Sequence, residues 1–414
     1  MTPMDPRARR AAIRRRLDWM SDRADMAVAV GRRESGFLYR PREIVIDAKH
    51  AERLDQYLGE EFGARQIDGT STHHQRKYAR SPRATLDGMG LVHLELPDGL
   101  DVARTVDFLR HAAHAHGFQA DVAPNHLYVT DQNRRFWPAT LPERTDAAVS
   151  IPEGSAGNGV VVGVLDTGVV RGMFDERVRP DANDYDPSVD HGRIDNGQGG
   201  HGTFVAWQVL RVAPGVTIDP EATCDGSGVT NDVEIAADLG ELTSRARIIN
   251  LSLGGYTHDN LPPLALSRAL AECQARLGDD VVFVASAGND SSSQPSWPAA
   301  FKDVVAVAAV DHERQPAPFS NFGSWVDACA LGVDIVDHYV TGKLVLDDGS
   351  ERDFDGRARW SGTSFAAPRV AGTIAAKLAS GVTASARVAA AMVLAEARHL
   401  PHPDHRPYGR FIAT

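Results

Sequence analysis

At 414 residues the chain exceeds the usual single-domain size of about 100 to 200 residues, and two domains are expected. Hydrophobic residues at 43% and charged residues at 24% are ordinary for a soluble globular enzyme, and no window approaches the roughly 20 apolar residues of a helical membrane span. The net charge is −11, yet the first 40 residues carry ten arginines against five acids; with no interleaved aromatics and no nucleic-acid module after it, this segment reads as a solvated amphipathic helix docked on its own acidic partner.

In chain order, residues 1–40 are therefore taken as a basic helical segment. "REIVID" (42–47) reads as a strand, and "AKHAERLDQYLGEEFG" carries the helical spacing of Ala51, Leu54, Tyr57 and Leu58. A polar loop is expected from about 68 to 88. "LVHLEL" (91–96) then reads as a strand, "DVARTVDFLRHAAHAHG" as a helix with an acidic start, and "ADVAPNHLYV" (120–129) as a strand. The alternation predicts a small α+β domain over 41–130, followed by a linker over 131–158 marked by Pro138, Pro142 and Pro152.

The pattern changes over 159–414. "VVVGVLD" (160–166), "RIINLSLGG" (247–255), "VVFVASAG" (281–288) and "VVAVAAVD" (304–311) are nearly continuous Val- and Ile-rich runs, as in parallel strands buried on both faces. Helices are expected between them, at about 203–212, 232–246 and 262–277. This is an α/β doubly wound pattern, which places ligands outside the carboxyl ends of the strands.

Three polar residues fall where that rule points: Asp166 at the end of a buried strand, His201 in "GGHGTFVAWQVL", and Ser364 in "SGTSFAAPRVAG" at the start of a helix whose first turn accommodates Pro368. Taken singly, Asp166 is a strand-ending Asx turn, His201 a satisfied histidine near a helix start, and Ser364 an N-cap. Together, in that chain order and each on a glycine-flanked turn, they match one of the known solutions of serine hydrolysis. "VLDTG", "HGT" and "GTSFAAP" resemble the Asp, His and Ser motifs of subtilisin-like (S8) serine proteases, with Phe365 where Met is frequent. "VAPG" (212–215), "INLSLGG", "SAGN", "WPAAF", "VVAVAAVD" and "FSNFG" (319–323) agree in order over about residues 158–380.

The resemblance implies a mainly parallel sheet covered by helices on both faces, and a serine endopeptidase acting on peptide or protein substrates through an acyl-enzyme. It assigns Asp166, His201 and Ser364 to the triad, and Asn289 with the Ser364 backbone N–H to the oxyanion hole. Ser252, Leu253, Gly254, Ser286, Ala287 and Gly288 become the walls of the substrate cleft. No organic cofactor is implied. Five aspartates in "DANDYDPSVDHGRID" (181–195) read as a solvated acidic loop, with Ca²⁺ binding, frequent in the family, as the second reading. "VAPNHLYV" resembles the last strand of the family's prodomains, so the N-terminal domain is expected to act as an intramolecular inhibitor or chaperone, with self-cleavage around 130–150. Two alternatives stay open: a peptide-binding pseudoprotease, and a maturation protease for one dedicated precursor.

Departures from the pattern are "VVRGMFDERV" after the Asp motif and "ALGVDI" where A-P-G is common. Residues 336–360, with the turn signal Asp348–Gly349, read as an inserted β-hairpin near the site. Cys224, Cys273 and Cys329 lack metal-like spacing and read as buried thiols of a reduced compartment. No signal peptide, membrane or nucleic-acid signature is visible, so the cytoplasm is the default location, with unconventional export left open.

Overall fold

A computed structural model describes residues 26–30, 36–66, 86–130, 141–346, 349–400 and 406–414. The basic segment up to residue 25, most of the polar stretch 68–88, the first part of the linker and Asp348 lie outside the described residues.

The first expectation to be corrected is the helix over 1–40. Where that segment is described it is extended: β1 (Ala27–Val30) pairs antiparallel with β2 (Gly36–Asp47), which begins well before the predicted 42–47 strand. Phe37, Leu38 and Tyr39 are buried, so apolar packing decides this stretch, and the arginine count misleads about it. Among the described residues β2 is central in a six-stranded antiparallel sheet that also holds β3 (Arg65–Gln66), β4 (Leu91–Glu95) and β5 (Val122–Val129). The helices α1 (Ala48–Arg53) and α2 (Val102–Ala115) cover one face. Asp47 and Asp101 cap them by accepting the backbone N–H of Lys49 and Arg104.

The second sheet has seven parallel strands in the order β10-β7-β12-β13-β14-β15-β18, with β7 (Val161–Asp166), β10 (Thr217–Ala222), β12 (Ile248–Leu251), β13 (Val282–Ser286), β14 (Val304–Val310), β15 (Ala328–Leu331) and β18 (Arg410–Phe411). The four predicted apolar runs are its centre. The strand β10, "TIDPEA", was not legible as a strand because it lies at the sheet's edge and carries charges. The helices α3 (His201–Val212), α4 (Asp232–Leu242), α5 (Leu264–Leu277), α6 (Thr363–Ala379) and α7 (Ala386–Glu396) cover the faces, giving two apolar clusters on opposite sides of the strands. Since β10 and β12 flank β7 on opposite sides, the chain reverses direction there, and the carboxyl ends of β7 and β12 open the crevice.

The expected insertion is a hairpin of β16 (Ile335–Val345) and β17 (Glu351–Trp360). It joins β6 (Glu143–Arg144), β8 (Val189–Asp190) and β9 (Arg193–Ile194) in a third sheet. Arginines hold the linker by its carbonyls: Arg352 bonds Pro142 O, Arg357 Asp146 O, Arg211 Ser150 O and Arg177 Pro152 O. Among the described residues no helix is long and apolar enough to cross a membrane.

All three cysteines are free and buried. Burial pushes the Cys329 thiol up to about 12, and raises those of Cys224 and Cys273 as well. The native protein is expected to take up no iodoacetamide at pH 8 over the minutes in which guanidinium-unfolded protein takes up three equivalents; mass spectrometry of the two reads this directly.

Candidate active site

Asp166 is the last residue of β7, and its carboxylate is fully buried. Its Oδ1 accepts the Thr167 N–H at 2.8 Å and faces His201 Nδ1 at 2.6 Å. His201 opens α3, preceded by Gly200 in the left-handed region (φ 80°). The glycines beside it are there for clearance. A Cβ at Gly200 would lie 2.8 Å from Val340 Cγ2, and one at Gly202 would run into Gly168 O and come within 3.2 Å of Asp166 Oδ1. The imidazole is walled by Trp360 of the inserted hairpin, edge-on at 5.5 Å, and by Phe365 at 5.5 Å.

The acidic stretch has another task than the sequence suggested. Asp186 accepts the Thr167 hydroxyl at 3.0 Å and the Gly200 N–H at 2.8 Å through Oδ2, and the Ser188 N–H and hydroxyl through Oδ1. It therefore ties the Asp166 turn to the His201 turn. Burial pushes its carboxyl up, and these hydrogen bonds offset part of that. The other aspartates go elsewhere: Asp184 accepts the Asp181 N–H, Asp190 pairs with His191, and Asp195 with Arg193. Among the described residues no three acidic or histidine side chains of the stretch converge; the two such groups that do are Asp47, His50, Asp121 and Asp107, His258, Asp259. Arginines already occupy both: Arg268 bonds Asp47 and Asp121, and Arg110 lies 3.6 Å from Asp259. These residues do not fit a calcium ion, which prefers uncompensated oxygen donors.

Ser364 is the second residue of α6 and is 2% exposed. Its hydroxyl donates to Ser252 O at 3.4 Å, while the Ser252 hydroxyl donates to Ser364 O at 2.8 Å. The second contact corrects the expectation for Pro368. That proline stands in the second turn, and its missing N–H would have bonded Ser364 O; Ser252 supplies the substitute donor.

Asn289 Oδ1 accepts the Thr363 N–H at 2.9 Å, which leaves its Nδ2 as the outward donor beside the start of α6. The 286–289 turn is fixed twice more. Thr363 Oγ1 accepts the Gly288 N–H at 3.1 Å, and Asn321 donates to Ala287 O while its Oδ1 accepts the N–H groups of Asp290 and Ser292. Asn321 lies in "FSNFG", which sequence reading noted without a role for this residue. Ser252, Leu253, Ser286 and Ala287 are buried, with Gly254 and Gly288 at the surface of the crevice.

The crevice is occupied by the chain itself. Val129 and Gly254 exchange two backbone hydrogen bonds of 3.0 Å, the Thr130 N–H donates to Gly228 O at 2.9 Å, and β5 continues antiparallel to β11 (Val229–Asn231). The Thr130 hydroxyl donates to Gln198 Oε1, three residues from His201. The end of β5 thus lies as an added strand between two edges.

A family model described as the subtilase family matches residues 157–406. Over 283 residues the chain is 35% identical to the thermophilic serine proteinase of Bacillus sp. (strain AK1), an alignment covering 64% of this chain and 61% of that protein. The chain thus spans less than two thirds of that relative's length. It is 30% identical over 286 residues to thermitase of Thermoactinomyces vulgaris, covering 65% of this chain and 90% of thermitase. Its fold resembles the crystal structure of a cold adapted subtilisin-like serine proteinase, with a TM-score of 0.51 and 23% identity over 67% of this chain and 97% of that one.

Proposed function

The chain belongs to the subtilase family, and on that premise we propose that it is a serine endopeptidase with Asp166, His201 and Ser364 as its triad. The buried 2.6 Å contact between Asp166 and His201 Nδ1 carries the reading. It keeps the Nδ1 proton toward the carboxylate, so Nε2 presents a lone pair to the serine hydroxyl. Once a peptide is bound, the hydroxyl turns from Ser252 O to the imidazole and attacks the carbonyl as Nε2 takes its proton. The oxyanion receives the Ser364 N–H and the Asn289 Nδ2 hydrogen, at a helix start whose dipole favours negative charge. His201 then protonates the leaving amine. Water, activated by the same imidazole, hydrolyses the acyl-enzyme.

The N-terminal domain is proposed to act as an intramolecular inhibitor, supported by the pairing of Val129 and Thr130 with the crevice edges. A substrate continuing that antiparallel register brings the residue two beyond the one paired with Gly254 opposite Ser252, beside the Ser364 hydroxyl. Self-cleavage is therefore proposed just after Asp131, within the span already expected from the sequence.

The occupied crevice and the Ser364 hydroxyl bonded to Ser252 O favour a second reading, a module that holds a peptide without turning it over. A fluorophosphonate probe separates the two. Once the N-terminal domain is released, the protein is expected to be labelled at Ser364 and to degrade casein, with both signals lost in Ser364→Ala; a wild-type protein that does not label even after that release would leave the binding reading standing. Labelling without casein hydrolysis favours a single dedicated precursor.

A further inference from the structure

His201 and Ser364 stand on different helices, α3 and α6, so their meeting depends on how those helices are set against each other. The helices touch at Gly372, where a Cβ would lie 2.9 Å from Val209 O. Beside this contact the interface is polar. Gln208, fully buried on α3 two turns after His201, accepts the Arg369 Nη1 hydrogen from α6 at 3.0 Å and donates through Nε2 to Asp337 Oδ2 at 2.9 Å. Asp337 belongs to β16 of the inserted hairpin and is 1% exposed. Arg211 of α3 forks onto it, Nε to Oδ2 at 3.1 Å and Nη2 to Oδ1, and Oδ1 also accepts the His338 N–H at 2.8 Å. One carboxylate thus stands with two guanidiniums. Burial pulls the Arg369 pKa down, Asp337 opposes this, and Arg211 adds to it.

We propose that Asp337 is a positioning residue for peptide-bond cleavage, which through Gln208 and Arg369 sets the rotation and spacing of the Ser364 helix against the His201 helix. The inference rests on the peptidase reading above. Its physical ground is direction. Apolar contact brings two helices together without fixing their register, whereas hydrogen bonds among planar carboxylate, amide and guanidinium groups do fix it. Asp337→Asn keeps the volume but sets its amide nitrogen against two donors in either orientation: Gln208 Nε2 and Arg211 Nε at one oxygen position, Arg211 Nη2 and the His338 N–H at the other. Both guanidiniums also lose their counter-charge. Adding Gln208→Glu should repair much of this, because it returns a negative charge to the network and lets the new amide donate to the new carboxylate.

Kinetics after release of the N-terminal domain, with sites counted by complete fluorophosphonate labelling, test the assignment. Asp337→Asn is expected to lower kcat about 10²-fold with KM within about twofold, the effect of a displacement of about 1 Å between the reacting groups, and the double variant Gln208→Glu/Asp337→Asn to regain about tenfold. A lower melting temperature with kcat per labelled site unchanged overturns the proposal, since a purely structural pair behaves that way. Gln208→Met leaves the Arg211 and Asp337 pair intact and decides the matter should Asp337→Asn not fold: a loss of about tenfold in kcat supports the bridge, and an unchanged kcat refutes it. Amide exchange over α3 and α6 in the full chain needs no catalysis. It is expected to quicken about tenfold in Asp337→Asn and to slow again in the double variant, and equal exchange in all three proteins refutes the network. A released wild-type protein that never labels at Ser364 ends the peptidase reading, while exchange still decides the network, so the two failures stay separate.

Discussion

Asp166→Asn is expected to lower kcat for peptide hydrolysis by about 10⁴-fold while the protein stays folded. The carboxylate has two hydrogen bonds to lose or keep, the Thr167 N–H at 2.8 Å and His201 Nδ1 at 2.6 Å. Both fall on Oδ1, while Oδ2 is buried without a hydrogen-bond partner. An asparagine that keeps its oxygen on these two donors leaves its amide N–H groups unpaired at the buried Oδ2 position. One that flips sets a donor against both, and the imidazole then carries its proton on Nε2, where it cannot accept the serine proton. In either case the imidazolium formed during attack loses the negative charge that stabilised it. Side-chain volume is conserved and the Asp186 brace between the two turns is untouched, so the melting temperature should move by only a few degrees. Steady-state kinetics with a peptide substrate, beside a thermal melt, reads both quantities. A variant within tenfold of wild type would remove Asp166 from the mechanism. A variant that no longer folds would assign it a structural task.

The triad and its glycines were legible because each demands a local conformation that few residues supply. Gly200 adopts a positive φ and, like Gly202, clears space around His201, and Gly254 lies close against Ser296 Oγ. Such positions leave a mark in a single sequence. The apolar strands were legible for a similar reason, since burial on both faces removes the polar alternation. Asp186 and Asn321 were not. Each is a polar residue whose task depends on partners at other places in the chain, and in sequence a brace and a solvated side chain look the same. The described parts of 26–40 show the opposite failure: arginine density suggested a helix, while residues 36–39 pair with β1 and Tyr39 also faces β5 in a sheet. Even the serine motif was only partly readable, because the reason Pro368 is tolerated in the second turn lies in the Ser252 hydroxyl, 112 residues before the Ser364 carbonyl it bonds.

Acidification is expected to loosen the N-terminal domain from the crevice, by up to about a hundredfold at pH 4.5 relative to neutral pH. His126, on β5, is 2% exposed, and its Nε2 accepts the His258 backbone N–H at 3.1 Å across the interface. Protonating that nitrogen breaks the bond. The groups facing it are Arg110 and Asp107 from α2, His258 and Asp259 from the 257–260 turn, and the ring of Phe37 from β2. Burial pushes His126 down to about 3, and His258 and Arg110 act in the same direction. His258 is itself lowered by burial, although Asp107 and Asp259 oppose that. The sign follows from proton counting. A released strand holds His126 near its ordinary 6.5, so the docked state binds fewer protons than the released one between about pH 3 and 6.5. Docking is therefore at full strength above about 6.5 and weakens by up to tenfold for each unit below it, the hundredfold figure being reached only if the burial comes wholly from docking. Exchange at the Val129 and Gly254 amides, corrected for its intrinsic pH dependence, measures the effect. His126→Gln keeps an acceptor for the His258 N–H without a titrating ring, and should flatten the acid limb. An acid limb equally steep in His126→Gln would place the sensing group elsewhere in the interface, with the Glu43 and His93 pair, 3.0 Å apart on β2 and β4, the next to test.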